Sequence, residues 1–159
     1  MIDILLSTYN GEKYISKQID SILNQTYTEW RLLVRDDCSS DSTLTILKQY
    51  QKKYSDKIYL LSDNTNQNIG VIKSFEFLLS QSTNNYIMFC DQDDIWLPNK
   101  IEESIKTIIE LEKTKPHTPI LIHSDLSIID KNEKIIHKSL WKYAGIKPDI
   151  LNHNAKYMA

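Results

Sequence analysis

The feature that most restricts the fold is a fourfold alternation of short apolar runs with segments of helical period. Ile2–Ser7, Trp30–Arg35, Ile58–Ser62 and Tyr86–Cys90 each read as a buried strand. After the first run, Ile15, Ile19, Ile22 and Leu23 recur at helical spacing. After the second, Asp41 or Ser42 offers an N-cap to a helix carrying Leu44, Leu47 and Tyr50. A third helix is predicted near Val71–Ser80. A fourth has Pro98 in its first turn and buries Ile101, Ile105, Ile108, Ile109 and the stem of Glu112. Ile120–His123 reads as a fifth strand. Ser127–Ile129 and Lys134–Ile136 flank Asp130–Glu133 as a hairpin, and from Lys138 onward the pattern fades. Strands alternating with helices specify an α/β fold, a mostly parallel sheet with helices on both faces.

In such a sheet ligands bind outside the carboxyl ends of the strands. Three polar clusters fall there: Ser7-Thr8-Tyr9-Asn10, Asp36-Asp37 and Asp91-Gln92-Asp93-Asp94. One rim therefore gathers an aromatic ring, hydroxyls and five carboxylates. Crowded carboxylates repel one another, and a hard divalent cation relieves that repulsion. Asp91 and Asp93 suit an ion shared with phosphate oxygens; a solvated acidic turn is the alternative. Asp36 and Asp37 either bond neighbouring N–H groups in a turn or accept from a base N–H or a ribose hydroxyl. Tyr9 either stacks on a base or is an ordinary turn tyrosine. Lys73, on the first turn of a helix after Asn68-Ile69-Gly70, either meets a phosphate or points into water.

The rest of the chain narrows the choice by exclusion. Its 159 residues suit one core, and 19 cationic against 21 acidic side chains leave a net charge of −2. The cations are scattered, which argues against nucleic acid as a partner. Gly11, Gly70 and Gly145 are isolated, so neither phosphate-binding glycine loop is present. Cys38 and Cys90 form no C-x-x-C and read as free thiols. No run approaches the roughly 20 apolar residues of a membrane span. The start, Met1-Ile2-Asp3-Ile4, lacks the basic region of a signal peptide.

Taken in order, Ser7-Thr8-Tyr9-Asn10-Gly11, Ile22-Leu23-Asn24-Gln25-Thr26-Tyr27, Arg35-Asp36-Asp37-Cys38-Ser39-Ser40-Asp41, Asn68-Ile69-Gly70-Val71 and Asp91-Gln92-Asp93-Asp94-Ile95-Trp96-Leu97-Pro98 resemble the family 2 glycosyltransferases. The last stretch, with His123-Ser124-Asp125-Leu126, is especially similar to bacterial rhamnosyltransferases of cell-wall and capsular polysaccharide synthesis. The resemblance implies a GT-A, Rossmann-like fold and metal-dependent, inverting transfer of a sugar, rhamnose by this likeness. The donor would be dTDP-rhamnose or a UDP-sugar, and the acceptor a saccharide, lipid-linked in many such enzymes. Ser7, Tyr9, Asp37, Asn68, Lys73 and Asp91 would contact the nucleotide. Asp93, with Asp91, would hold Mg²⁺ or Mn²⁺.

The resemblance covers residues 1–140, read as an incomplete nucleotide-sugar domain. Residues 141–159 are expected to open an acceptor-side segment and to be weakly ordered. The general base is expected beyond Ala159, with Asp125 as a weaker candidate. A cytoplasmic location at the inner membrane face and a homodimer are further expectations. The competing reading is a nucleotide-binding module without turnover that needs a further segment or chain.

Overall fold

A computed structural model describes residues 1–64 and 67–147. The chain divides into two compact units, Met1–Glu110 and Leu111–Ala159.

In the first unit the order is β1 (Ile2–Thr8), α1 (Ile15–Leu23), β2 (Trp30–Asp36), α2 (Thr43–Lys53), β3 (Ile58–Leu61), α3 (Val71–Gln81), β4 (Tyr86–Cys90) and α4 (Lys100–Thr114), the last running past the boundary. The four strands form one parallel sheet in the order β3-β2-β1-β4. β1 lies inside the sheet and is covered on both faces. That is why it reads as a nearly continuous apolar run rather than an alternating one. Ile2, Ile4 and Leu6 pack with Ile15, Ile19 and Ile22 of α1, Leu47 of α2, and Ile101 and Ile105 of α4. Leu5 points to the other face, against Leu33 and Leu78 of α3. Helices therefore cover both faces, as the alternation predicts.

The loops are tied down by side chains. The buried Gln25 amide donates to the Ser21 and Leu97 carbonyls, and its oxygen accepts from the Ile101 N–H at 3.0 Å. One of the otherwise unpartnered N–H groups at the start of α4 is satisfied in this way. Ser21 Oγ accepts from Trp96 N–H at 3.0 Å, and Trp96 is buried. At α2 it is Asp41 whose carboxylate accepts from Thr43 N–H; the Ser42 side chain makes no cap bond. Pro98 stands in the turn just before α4 rather than within it. α4 buries Ile101 and Ile105, but Ile109 is 42% exposed and Glu112 is exposed as well. Its buried stripe is confined to its first turns, so the expected longer stripe is corrected.

In the second unit the hairpin is present, β5 (Ile128–Ile129) pairing antiparallel with β6 (Ile135–His137). Asp130 closes its turn by accepting from Asn132 and Lys134 N–H. The expected strand over 120–123 does not form. The segment enters no ladder among the described residues, and an apolar run without a partner strand has no inter-strand hydrogen bonds to define it. Where the pattern fades, a short helix α5 (Leu140–Ala144) forms instead. Ser139 caps it through Lys142 N–H, and Gly145 ends it at φ 68°. The expectation for 148–159 lies outside the described residues. No described helix is long and apolar enough to cross a membrane.

Candidate functional site

Strand register builds the site. Ser7 pairs with Arg35 and Thr8 with Asp36, while Leu6 pairs with Cys90. The chains leaving β1, β2 and β4 therefore open on one rim. A cleft of ≈ 370 Å³ lies there. Ser7 and Tyr9 line it from β1 and its loop, and Asp37 from the end of β2. Asn68, Gly70 and Val71 line it from the entry to α3, and Asp91, Gln92 and Asp93 from the turn after β4. β1 and β4 adjoin where the strand order reverses, the switch point at which open α/β sheets bind ligands.

The carboxylates on this rim have different environments. Asp36 is used inside its own turn, accepting from Ser39 N–H and from the Thr8 and Ser39 hydroxyls. Asp37 is only 3% exposed, yet it lines the cleft. One of its oxygens accepts from Arg35 Nη1 and Ile69 N–H, the other from Gly70 N–H at 2.8 Å. Burial alone would raise its pKa, but the Arg35 bond and the two backbone N–H groups outweigh burial and hold it below the usual carboxylate range.

Arg35 is 2% exposed and also donates to Ser74 Oγ, Asp63 and the Gln67 carbonyl. Its Nε is a buried donor with no partner among the described residues. Asn68 Nδ2 donates to the Asp37 carbonyl at 2.9 Å. The wall at 67–70 thus hangs on Asp37 and Arg35. Gly70 permits this because its φ of 82° suits glycine best.

Tyr9 is 50% exposed, so its ring is open to a ligand. Its backbone is held by Gln92, whose Oε1 accepts from Tyr9 N–H at 2.9 Å and whose Nε2 donates to the Tyr9 carbonyl at 3.2 Å. The neighbouring residues are stitched to the loop after β2. Asn10 Oδ1 accepts from Ser40 N–H, Gly11 N–H donates to Thr43, and Glu12 accepts from Ser42 N–H.

Asp91, Asp93 and Asp94 are exposed at the end of β4. Partial desolvation, followed by the charges of Asp91 and Asp93, pushes the Asp94 carboxyl above its ordinary value. No group of three or more His, Cys, Asp or Glu among the described residues could hold a metal ion by itself. Asp91 and Asp93 both line the cleft, however. Two carboxylates with room for phosphate oxygens and water form a donor set that Mg²⁺-like ions accept. The residues therefore fit an ion shared with a ligand, not a protein-only cage.

Of the residues singled out from sequence, Ser7, Tyr9, Asp37, Asn68, Asp91 and Asp93 come together around the cleft. Lys73 is exposed on α3 and is not among the cleft-lining residues. Asp125 belongs to the second unit. There its carboxylate accepts from Leu126 and Trp141 N–H, and hydrogen bonds led by that from Ser139 hold its pKa low. A carboxylate so engaged holds the start of α5. Both thiols are free, Cys38 exposed and Cys90 buried. Sequence reasoning missed Arg35 and Gln92. An arginine directly before Asp36-Asp37, at the carboxyl end of a strand run, was the available signal for the first.

The family model for glycosyl transferase family 2 matches residues 3–138. The chain belongs to this family. It is 32% identical over 149 residues to the UDP-Glc:alpha-D-GlcNAc-diphosphoundecaprenol beta-1,3-glucosyltransferase WfgD of Escherichia coli, covering 92% of this chain and 57% of WfgD. It is 36% identical over 107 residues to the dTDP-rhamnosyl transferase RfbG of Shigella flexneri, covering 65% of this chain and 37% of RfbG. The chain thus spans between 37% and 57% of the length of these two relatives. The structure of Staphylococcus aureus TarS 1-349 in complex with UDP superposes with a TM-score of 0.58 at 22% identity, over 91% of this chain and 49% of that one. That likeness shows a shared GT-A fold.

Proposed function

We propose that this chain is the donor-binding part of an inverting glycosyltransferase that passes rhamnose from dTDP-rhamnose to a saccharide hydroxyl. The observation that carries the reading is the cleft at the sheet's switch point, which gathers Tyr9, Asp37, Asp91 and Asp93 on one rim. The likeness to a dTDP-rhamnosyl transferase supports the choice of donor. WfgD is named for a lipid-linked diphosphoundecaprenol acceptor, which supports an acceptor of that kind and work at the inner face of a membrane.

The residues divide the task. The Tyr9 ring offers a stacking face to the base. The Asp37 oxygen that, among the described residues, bonds only Gly70 N–H keeps acceptor capacity for a pyrimidine imide N–H. Ser7 and Asp91 face the ribose. Asn68 sets the wall by holding the Asp37 carbonyl. Asp93 and Asp91 would hold Mg²⁺ or Mn²⁺, and such an ion neutralises charge on a departing diphosphate. Transfer also needs a group that takes the proton of the acceptor hydroxyl. The engagement of Asp125 with Leu126 and Trp141 N–H favours a second reading, a nucleotide-binding module that turns over only with a further segment or chain. Incubation with dTDP-rhamnose and rhamnose-terminated acceptors separates the two readings.

Calorimetry with dTDP, UDP and GDP, with and without Mn²⁺, tests the binding claim. Pyrimidine diphosphates should bind better than GDP, and Mn²⁺ should strengthen them. Tight GDP binding, or equal affinities with and without Mn²⁺, would sink the proposal.

A further inference from the structure

Gln92 separates Asp91 from Asp93, and its side chain is bonded to the main chain of Tyr9 in the loop after β1. Its amide bonds both polar groups of Tyr9, donating to the carbonyl and accepting from the N–H. A double exchange with a single residue is what antiparallel strands make; the parallel β1–β4 ladder has no such pair. The β1–β4 ladder itself has already ended, at Leu6 and Cys90. The glutamine therefore ties the two chains together by side chain just beyond their last paired residues.

A second observation comes from Gly11. A Cβ placed there would lie 2.5 Å from Gln92 Oε1 and 3.0 Å from its Cδ. No φ constraint calls for glycine at this position. It is the approach of the Gln92 amide that leaves no room for a side chain.

From these two facts we infer that Gln92 is a positioning residue that holds the Tyr9 loop in register with the Asp91–Asp93 turn, with Gly11 as the gap that admits it. The inference rests on the nucleotide reading above. A ligand touching only the Tyr9 side gains little from this register. A ligand spanning the base side and the diphosphate side gains most, because both halves of its site are fixed before it arrives.

The test measures UDP with Mn²⁺ by calorimetry and uridine by NMR titration. The proteins are the unaltered chain, Gln92→Met, Gln92→Ala, Gly11→Ala and the double variant Gly11→Ala/Gln92→Ala. Thermal unfolding checks that each is folded. Gln92→Met keeps the bulk and loses both hydrogen bonds. It should weaken UDP about tenfold, the scale of one to two net hydrogen bonds, and uridine much less. Gly11→Ala should match it by displacing the amide. The double variant should be no worse than Gln92→Ala, because the atoms that crowd the added methyl are then gone; contacting sites behave non-additively in this way. Equal losses for uridine and UDP, or additive losses in the double variant, would overturn the inference. So would Gln92→Met binding UDP like the unaltered chain. If Gln92→Met fails to fold, the comparison of Gly11→Ala, Gln92→Ala and the double variant decides alone. Absence of UDP binding by the unaltered chain would overturn the nucleotide reading and this inference with it. Binding by the unaltered chain with unchanged variants would overturn only this inference.

Discussion

Asp3 and Asp37 sit at opposite ends of the same sheet, each buried and each paired with an arginine. Asp3 is fully buried in β1. It accepts from Arg31 Nε and Nη2, from the Ser82 hydroxyl, from Thr83 and Asn84 N–H and from Asn84 Nδ2. Asp37 accepts only from Arg35, Ile69 N–H and Gly70 N–H among the described residues. An ionised carboxylate has about four acceptor sites. At the amino end of the sheet they are saturated, and the group staples β1 to β2 and to the segment entering β4. At the carboxyl end the described residues fill three, in a carboxylate that lines the cleft. The same group is a fastener where its acceptor sites are filled and, on the nucleotide reading proposed above, a recognition group where one is not.

The largest effect is expected from breaking the fastener. Asp3→Ala leaves Arg31 and two loop N–H groups without their acceptor. It should cost about 3 kcal/mol, the lower end for breaking a buried pair because Arg31 is partly exposed. Nucleotide affinity should change little if the fold survives. Urea unfolding with parallel calorimetry measures both.

Arg35→Met comes next and joins stability to function. It leaves a buried carboxylate unpaired and should cost about 2–3 kcal/mol. It should also make binding pH-sensitive. With Arg35 present, the Asp37 pKa is held below its ordinary value, so Asp37 should add no pH dependence between pH 7 and pH 5 to the binding of dTDP-rhamnose, whose diphosphate diester does not titrate there. Without it, burial raises the pKa, and affinity should fall as pH is lowered across that range. A flat profile in the variant would show that Arg35 does not govern Asp37.

Asp37→Asn sharpens the contrast from the recognition side. It should weaken pyrimidine diphosphates by about 1–3 kcal/mol, the cost of a mismatched buried partner. Competition binding with dTDP reads this directly.

The smallest effect on stability belongs to Asp93→Ala. An exposed turn residue should shift stability by no more than about 0.5 kcal/mol. The Mn²⁺-dependent part of nucleotide affinity should disappear all the same. Thermal unfolding beside calorimetry with and without Mn²⁺ separates these outcomes.

Acid unfolding supplies a control on the comparison. Burial would raise the Asp3 pKa, but bonds led by that from Arg31 carry it well below the usual carboxylate range. Its contribution is therefore present above the unfolded value and lost as pH falls below it. The stability of Asp3→Asn should accordingly depend less on pH below 4 than that of the unaltered chain.

Much of the molecule was legible from one dimension. β1, β2 and β4 announce themselves by apolar runs, and α1 by its spacing, because burial imposes period and composition locally. The rim clusters follow from chain direction alone, since parallel strands put all their carboxyl ends on one side. The segment at 120–123 shows the limit. Ile120, Leu121 and Ile122 look like a strand, but a strand exists only when another offers its hydrogen bonds. Lys73 and Asp125 show another limit, because a charge near a motif does not say which way its side chain points or what already occupies it.

By itself, then, the sequence determined the α/β alternation, the side of the sheet that carries the chemistry and the family. Those depend on local periodicity and on the order of motifs along the chain. Only the tertiary structure decided which carboxylates are spent and which are open. Asp3 is saturated by residues 28 and about 80 positions away, Asp37 is held by Ile69 and Gly70, 32 and 33 positions on, without being saturated, and Tyr9 is gripped by a glutamine 83 residues on. Such pairings are set by register and loop closure, which no local pattern encodes.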